Sequence, residues 1–213
     1  MQFSLALDDQ STDSVYPDAI DLTEKTELAV NTIKQQLISQ FHCAVAYSAG
    51  KDSSLVVYLA IRALQELVSE GKSVPTLHLM QSDTGYEAPN VHNYAQGEIK
   101  KIREFAETND LPVKVWIAKP NLSNDYFVQM IGGRTIASVP GTSRKCQQML
   151  KANPLQKINR DIISYIKSET NEKKPRLCVL IGTRRDESAH RNNAMSKRKE
   201  NALFPVWNEN SNQ

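Results

Sequence analysis

Ser48-Ala49-Gly50-Lys51-Asp52-Ser53 lies between an apolar run and a long amphipathic stretch, and its reading decides the fold. Cys43-Ala44-Val45-Ala46-Tyr47 before it has the composition of a buried strand. Ser54 to Val68 after it has helical spacing, with Leu55, Leu59, Ile61, Leu64 and Val68 as apolar positions and Gly71 as a stop. A small-residue loop between a strand and a helix start is an anion trap. Its backbone N–H groups point outward, and the helix dipole favours negative charge there. Lys51 adds a formal positive charge, and Ser48 and Ser53 add hydroxyl donors.

A Walker A loop needs Gly, four residues, then Gly-Lys-Ser/Thr. Val45 stands at the first Gly position and Asp52 follows the lysine, so that pattern fails twice. A small-residue turn without a ligand would not require Lys, Asp and two Ser together.

The remaining pattern of the chain is strand–helix alternation. Residues 1–25 are polar and acidic, without periodicity, and are expected to form a flexible arm. A helix is expected over Thr26 to Phe41, with Leu28, Ile33, Leu37 and Ile38 as apolar positions. Further strands are expected at Pro75–Met80, Val113–Ala118 and Arg176–Ile181. Helices are expected from about Pro89 to Asn109 and over Gln147 to Lys167, the latter disturbed at Pro154. Segment 119–145 is loop-rich. The alternation predicts one α/β domain over 26–213, an open, mostly parallel sheet with helices on both faces. Ligands in such sheets bind at the carboxyl ends of strands. The segments following the four strands are Ser48–Ser53, Ser82–Tyr86, Lys119–Asn121 and Gly182–Arg191, and they hold most of the unusual polar chemistry.

Composition narrows the class. The 213 residues suffice for a sizeable core, and a net charge of +2 excludes a global basic field. No apolar run approaches a membrane span, and the start Met1-Gln2-Phe3-Ser4 lacks the features of a signal peptide. Three cysteines match no zinc module, and Cys43 and Cys178 fall in apolar runs that read as core. A reducing cytoplasm is the simplest setting.

Three further segments carry chemistry. In Ser82-Asp83-Thr84-Gly85-Tyr86-Glu87-Ala88-Pro89, Asp83 and Thr84 could hold an adenosine or a metal; a capped turn before a helix explains the same residues. In Ser143-Arg144-Lys145-Cys146, two cations flank a thiol, an arrangement that favours thiolate, and Lys151 adds positive potential. The plain alternative is a solvated basic helix end. In Gly182-Thr183-Arg184-Arg185-Asp186-Glu187-Ser188-Ala189-His190-Arg191, the arginines could clamp a phosphate or sulfate, with Glu187 orienting one of them; a salt-bridged surface turn is the alternative.

The loop at 48–53 resembles the Ser-Gly-Gly-x-Asp-Ser signature of the PP-loop ATP pyrophosphatase superfamily, with Ala49 in place of a Gly. Ala tolerates positive φ poorly. Asp83 to Pro89 resembles the Asp-Thr-Gly-x-Glu-x-Pro segment of phosphoadenylyl-sulfate (PAPS) reductases. Residues 144–155 resemble the Arg-Trp-Cys-Thr-x-x-Leu-Lys-x-x-Pro run of DndC-like proteins, with Lys145 for the aromatic residue and Gln147 for Thr. Gly182, Arg184, Glu187, Ser188 and Arg191 are similar to the Gly-x-Arg-x-x-Glu-Ser-x-x-Arg segment of the same proteins.

The chain is thereby similar to DndC-like or SspD-like members of the PAPS reductase superfamily. The resemblance implies an adenine nucleotide α-hydrolase-like fold and ATP pyrophosphatase activity serving DNA phosphorothioation in bacterial defence. It implies nucleotide contacts from Tyr47, Ser48, Ala49, Gly50, Lys51, Asp52, Ser53, Asp83, Thr84 and Gly182. It also implies Mg²⁺ on Asp52, catalytic roles for Lys51, Asp52, Arg184 and Arg191, and a sulfur relay at Cys146. Arg144, Lys145, Lys151, Arg185 and Glu187 would line the acceptor and sulfur site. The implied partners are ATP, a DNA phosphate acceptor, a cysteine desulfurase and other phosphorothioation proteins. Many DndC-like chains continue into an iron–sulfur region; with no cysteine after Cys178, a self-contained cluster is unsupported and a C-terminal continuation is expected to be lacking. The rival readings are an adenylyl-sulfate or phosphoadenylyl-sulfate reductase and a non-catalytic ATP-sensing subunit.

Overall fold

The computed structural model describes residues 22–39, 41–139 and 144–183. The expected arm therefore lies mostly outside the described residues. Helix α1 spans Leu22–Ile38, beginning four residues before the expected Thr26. Glu24 complements the dipole in its first turn, and the Thr26 hydroxyl donates to the Leu22 carbonyl at 2.8 Å. Then follow β1 (His42–Tyr47), α2 (Lys51–Ser69), β2 (Leu77–Ser82), α3 (Pro89–Thr108), β3 (Val113–Ala118) and β4 (Leu177–Ile181).

The four strands are all parallel, in the order β3-β2-β1-β4. From β1 the chain moves through α2 to β2 and through α3 to β3, always in one direction. It then returns past both strands to β4. Right-handed crossovers therefore put α2 and α3 on one face and α6 (Asn153–Thr170), which precedes β4, on the other. The two cores show this division. Val45, Tyr47, Leu77, Leu79 and Leu180 pack with α1, α2 and α3. Ala44, Met80 and Ala118 pack with Ile158, Ile162 and Ile166 of α6. The reversal of direction leaves a switch point between β1 and β4.

The helix faces differ from expectation in detail. On α2 the buried set is Ser53, Val57, Leu59, Ala60, Ala63, Leu64 and Leu67. Leu55 points to solvent because it falls off the three-to-four spacing that starts at Ser53. On α1 the buried positions are Ala29, Val30, Ile33 and Leu37, while Leu28 and Ile38 are exposed.

The described part of segment 119–145 is more structured than a loop. Asn121 caps a 3-10 turn at Leu122–Asn124, and the Asp125 carboxylate caps α4 (Tyr126–Ile131) by accepting from Phe127 and Val128 N–H. The disturbance at Pro154 takes a definite form. Short helix α5 (Lys145–Gln147) runs into a π-helical turn at Gln148–Ala152, and α6 follows. Proline has no N–H to give the carbonyl four residues back, and its ring crowds that carbonyl. The carbonyl in question belongs to Leu150. It accepts instead from the Ser82 hydroxyl at 3.3 Å, which ties this turn to the end of β2.

On the α6 face, His78 is fully buried. Its Nδ1 accepts from Trp116 Nε1 at 3.1 Å, so the neutral ring carries its proton on Nε2, which finds no partner. Burial, with smaller contributions from His42 and Lys114, holds the imidazole down to about 4. The unfolded chain, titrating near the ordinary value of about 6.5, binds more protons than the folded one between those two pH values. Stability is therefore full above about 6.5 and declines as pH falls toward 4, by up to about 3 kcal/mol. We expect urea unfolding midpoints to fall from pH 7 to pH 4.5, and to fall less steeply in His78→Gln.

Candidate active site at the strand ends

Strand register brings the expected site segments to one edge. Tyr47 pairs with Gln81, Ser82 with Ala118, and Ala46 with Ile181. The next residues, Ser48, Asp83, Lys119 and Gly182, leave the sheet together at its carboxyl end.

The Ser48–Ser53 loop is locked by one hydroxyl. Ser53 Oγ donates to the Gly50 carbonyl at 2.9 Å and accepts from the Ser48 N–H at 3.2 Å. With that proton committed, the 3.1 Å contact between the two serine oxygens requires Ser48 Oγ to donate. Ser53 is buried. Its hydroxyl shapes the loop and does not point outward, a correction to the sequence-based expectation that it adds a donor for the ligand. Helix α2 begins at Lys51 without a side-chain cap, and the first intrahelical bond runs from Ser54 N–H to Gly50 O at 2.9 Å. The first turn of a helix leaves its leading N–H groups without intrahelical partners, and uncapped groups of this kind suit an oxyanion. Lys51 is exposed and Asp52 half-buried on that turn.

Ala49, at the position of the signature glycine, adopts φ 59°. The loop thus retains the left-handed conformation for which glycine is suited, with an alanine in it. Such a residue costs roughly 1–2 kcal/mol.

Gly182 explains itself sterically. A Cβ there would lie 2.5 Å from the Asp52 carbonyl oxygen and 2.9 Å from Ser53 N. Only a residue without a side chain lets the end of β4 lie against the first turn of α2. Both neighbours are backbone, so neither can swing away.

On the second strand end, Asp83 and Thr84 are both buried. Each closes a small turn: Asp83 Oδ1 accepts from Gly85 N–H at 3.1 Å, and Thr84 Oγ1 from Tyr86 N–H at 3.2 Å. Gly85 takes φ 76°. The Tyr86 hydroxyl donates to Asp125 Oδ1 at 2.9 Å, which raises the phenol's pKa and straps the α4 segment to this loop. Lys119 Nζ lies 3.2 Å and His92 Nδ1 3.7 Å from the Asp83 carboxylate. Sequence reasoning placed Lys119 at this edge but gave neither it nor His92 a role; Lys119 meets Asp83 through the pairing of β2 with β3, and His92 through the turn that leads into α3.

Cys146 is half-buried in α5, between Lys145 and Gln147, and its N–H donates to Ser138 Oγ at 3.4 Å. Arg144 precedes α5 and Lys151 lies in the π turn. Arg184, Arg185, Glu187 and Arg191 lie outside the described residues. Cys43 is fully buried as expected, but Cys178 is only half-buried, because β4 has no further strand beside it among the described residues. The two are register partners. The Cys43 thiol hydrogen-bonds Cys178 and draws it down to about 7, while its own pKa is pushed up.

The loop and the glycine predict opposite mutational effects. Ala49→Gly relieves the positive-φ strain and should raise stability by about 1 kcal/mol, with nucleotide affinity retained. Gly182→Ala forces backbone against backbone and should lower stability by about 1–3 kcal/mol and weaken ATP binding. Paired thermal melts and ATP titrations of the two variants check both signs.

Among curated proteins, none is significantly similar in sequence to this chain. Among solved structures, the crystal structure of NAD⁺ synthetase from Burkholderia pseudomallei is similar, with a TM-score of 0.41 and 14% identity over 88% of this chain and 79% of that one. The family model for the phosphoadenosine phosphosulfate reductase domain matches residues 42–207, which runs from the first residue of β1 past the end of β4. That match takes in the loop, the glycine approach and the Asp83 turn, and on it the chain belongs to the phosphoadenosine phosphosulfate reductase domain family.

Proposed function

We propose that this protein is an ATP pyrophosphatase that activates a DNA backbone phosphate for sulfur incorporation. The observation that carries the nucleotide part is the packing of Gly182 onto the uncapped first turn of α2 beside a Ser53-locked loop. The DNA part rests on the resemblance of segments 144–155 and 182–191 to DndC-like proteins.

In this reading the β and γ phosphates of ATP lie on the N–H groups of residues 49–53, with Lys51 offsetting their charge. Tyr47 and Gly182 bound the loop, and Asp83 and Thr84 close the nucleotide site. Asp52 offers carboxylate oxygens from a half-buried position on the first helix turn, a fit for Mg²⁺, which keeps most of its waters. When bound, the ion would neutralise charge on the pyrophosphate leaving group. An acceptor oxygen attacks the α-phosphorus, the bond from that phosphorus to the bridging oxygen breaks, and pyrophosphate departs. Arg184, Arg185 and Arg191, with Glu187, would hold the acceptor phosphate. Adenylation makes its oxygen a leaving group, as AMP, for sulfur supplied by a cysteine desulfurase. Cys146, flanked by Arg144 and Lys145 and followed by Lys151, would relay that sulfur as a persulfide: its outer sulfur attacks the phosphorus as AMP leaves, and an external dithiol then reduces the resulting disulfide, leaving the phosphorothioate and freeing the Cys146 thiol. In this reading the protein works in the cytoplasm with other phosphorothioation proteins. No helix among the described residues is long and apolar enough to cross a membrane.

The family match favours one second reading, reduction of adenylyl sulfate or its 3′-phosphorylated form. Product analysis separates the two. We expect ATP with Mg²⁺ to give AMP and pyrophosphate, with DNA stimulating release. Lys51→Ala should lower the rate on the order of a hundredfold, about 3 kcal/mol of transition-state stabilisation. ADP and phosphate as products, or wild-type turnover in Lys51→Ala, would reject the assignment; sulfite from adenylyl sulfate without pyrophosphate release would favour the reductase.

A further inference from the structure

Asp83, Glu87 and His92 form a second cluster at the same sheet edge, outside the Ser48–Ser53 loop. Asp83 ends the run from β2, Glu87 lies in the turn that follows, and His92 lies in the first turn of α3, which starts at Pro89. One ligand atom from each lies within 4.8 Å of the other two. We propose that these residues form a binding site for a divalent transition-metal ion, separate from any Mg²⁺ held with nucleotide at Asp52.

The spacing between the imidazole and the carboxylate supports this assignment. His92 Nδ1 and Asp83 Oδ1 are 3.7 Å apart, too far for a hydrogen bond. Ligands about 2.1 Å from one tetrahedral ion stand about 3.4 Å from each other. The contact is that of an ion pair when His92 is protonated, and its length is also roughly the span across a shared ion. Asp83 is only 6% exposed, so its charge needs a cation close by. The cation now nearest is Lys119, whose Nζ is 3.2 Å from Oδ2 on a side chain that is 69% exposed. An exposed lysine is easily displaced.

The donor set selects the metal class. Imidazole with two carboxylates suits Zn²⁺, Mn²⁺, Fe²⁺ or Co²⁺ better than Mg²⁺ or Ca²⁺, which prefer oxygen alone. Three protein donors leave at least one coordination position open. At the strand-end edge, that position would accept water or an oxyanion of a bound substrate.

The test uses the metal-free full chain without nucleotide, so its result is independent of ATP cleavage. Zn²⁺ affinity is read by competition with a chromophoric chelator, and Co²⁺ is titrated by visible absorption. We expect one equivalent of each ion to bind. His92→Ala and Glu87→Gln should each weaken Zn²⁺ at least about tenfold. Lys119→Ala should tighten it, and Asp52→Ala should leave it unchanged. Glu87→Gln keeps the size of a half-buried side chain, so it tests the site without disturbing packing. Absence of stoichiometric binding, equal affinity in His92→Ala and Glu87→Gln, or a Co²⁺ spectrum with sulfur charge-transfer bands that vanish in Cys146→Ser or Cys178→Ser would each overturn the proposal.

Discussion

The close approach of Gly182 to the first turn of α2 is the constraint on which the site depends. It joins the last described strand to the loop after the first strand, across the place where, among the described strands, the chain reverses its direction along the sheet. With a side chain at 182, β4 and α2 would have to separate, and the crevice between them would change shape. The Ser53 hydroxyl performs the complementary task within the loop. By bonding to Gly50 and Ser48 together, it bends the chain so that the start of α2 faces the sheet edge. Neither acts on a ligand through its side chain: Gly182 has none, and the Ser53 hydroxyl is committed within the loop. They shape the backbone that would.

The same logic extends to the second half of the site. Pro154 withholds a hydrogen bond from Leu150, and Ser82 supplies it. The helix carrying Cys146 is thereby attached to the end of β2, next to Asp83. Tyr86 bonds to Asp125, which also caps α4, so one carboxylate organises both the turn after β2 and the segment after β3. The carbonyl left without an N–H is met by a side chain from another strand end, and the carboxylate that caps α4 also accepts from the tyrosine after β2. That is why these segments form one edge and not four independent loops.

What the sequence discloses follows from the range of each interaction. The strand, loop and helix around Ser48–Ser53 were legible because small residues, a helix dipole and apolar spacing act within a few positions. The disturbance at Pro154 was legible for the same reason, although the π turn and its bond to Ser82 were not. The α4 helix was passed over in a segment rich in Gly and Pro, even though Asp125 before Tyr126 and Phe127 is a local capping signal. The Asp83–Glu87–His92 grouping and its Lys119 neighbour depend on the pairing of β2 with β3 and on where α3 begins. The half-burial of Cys178 depends on strand order, which no local pattern encodes. The αL backbone at Ala49 shows the converse: the loop keeps its shape against the preference of the residue placed in it.

The central claim is that the backbone of residues 49–53, held from behind by Gly182, is where the nucleotide's phosphates bind. Amide hydrogen exchange of the full chain, with and without ATP and Mg²⁺, tests it most directly. The account predicts slowed exchange at the N–H groups of Ala49 to Ser53 and at Gly182 when nucleotide is present, and loss of that protection in Gly182→Ala. ATP binding that leaves these amides unchanged, or protects a different face of the sheet, would contradict it.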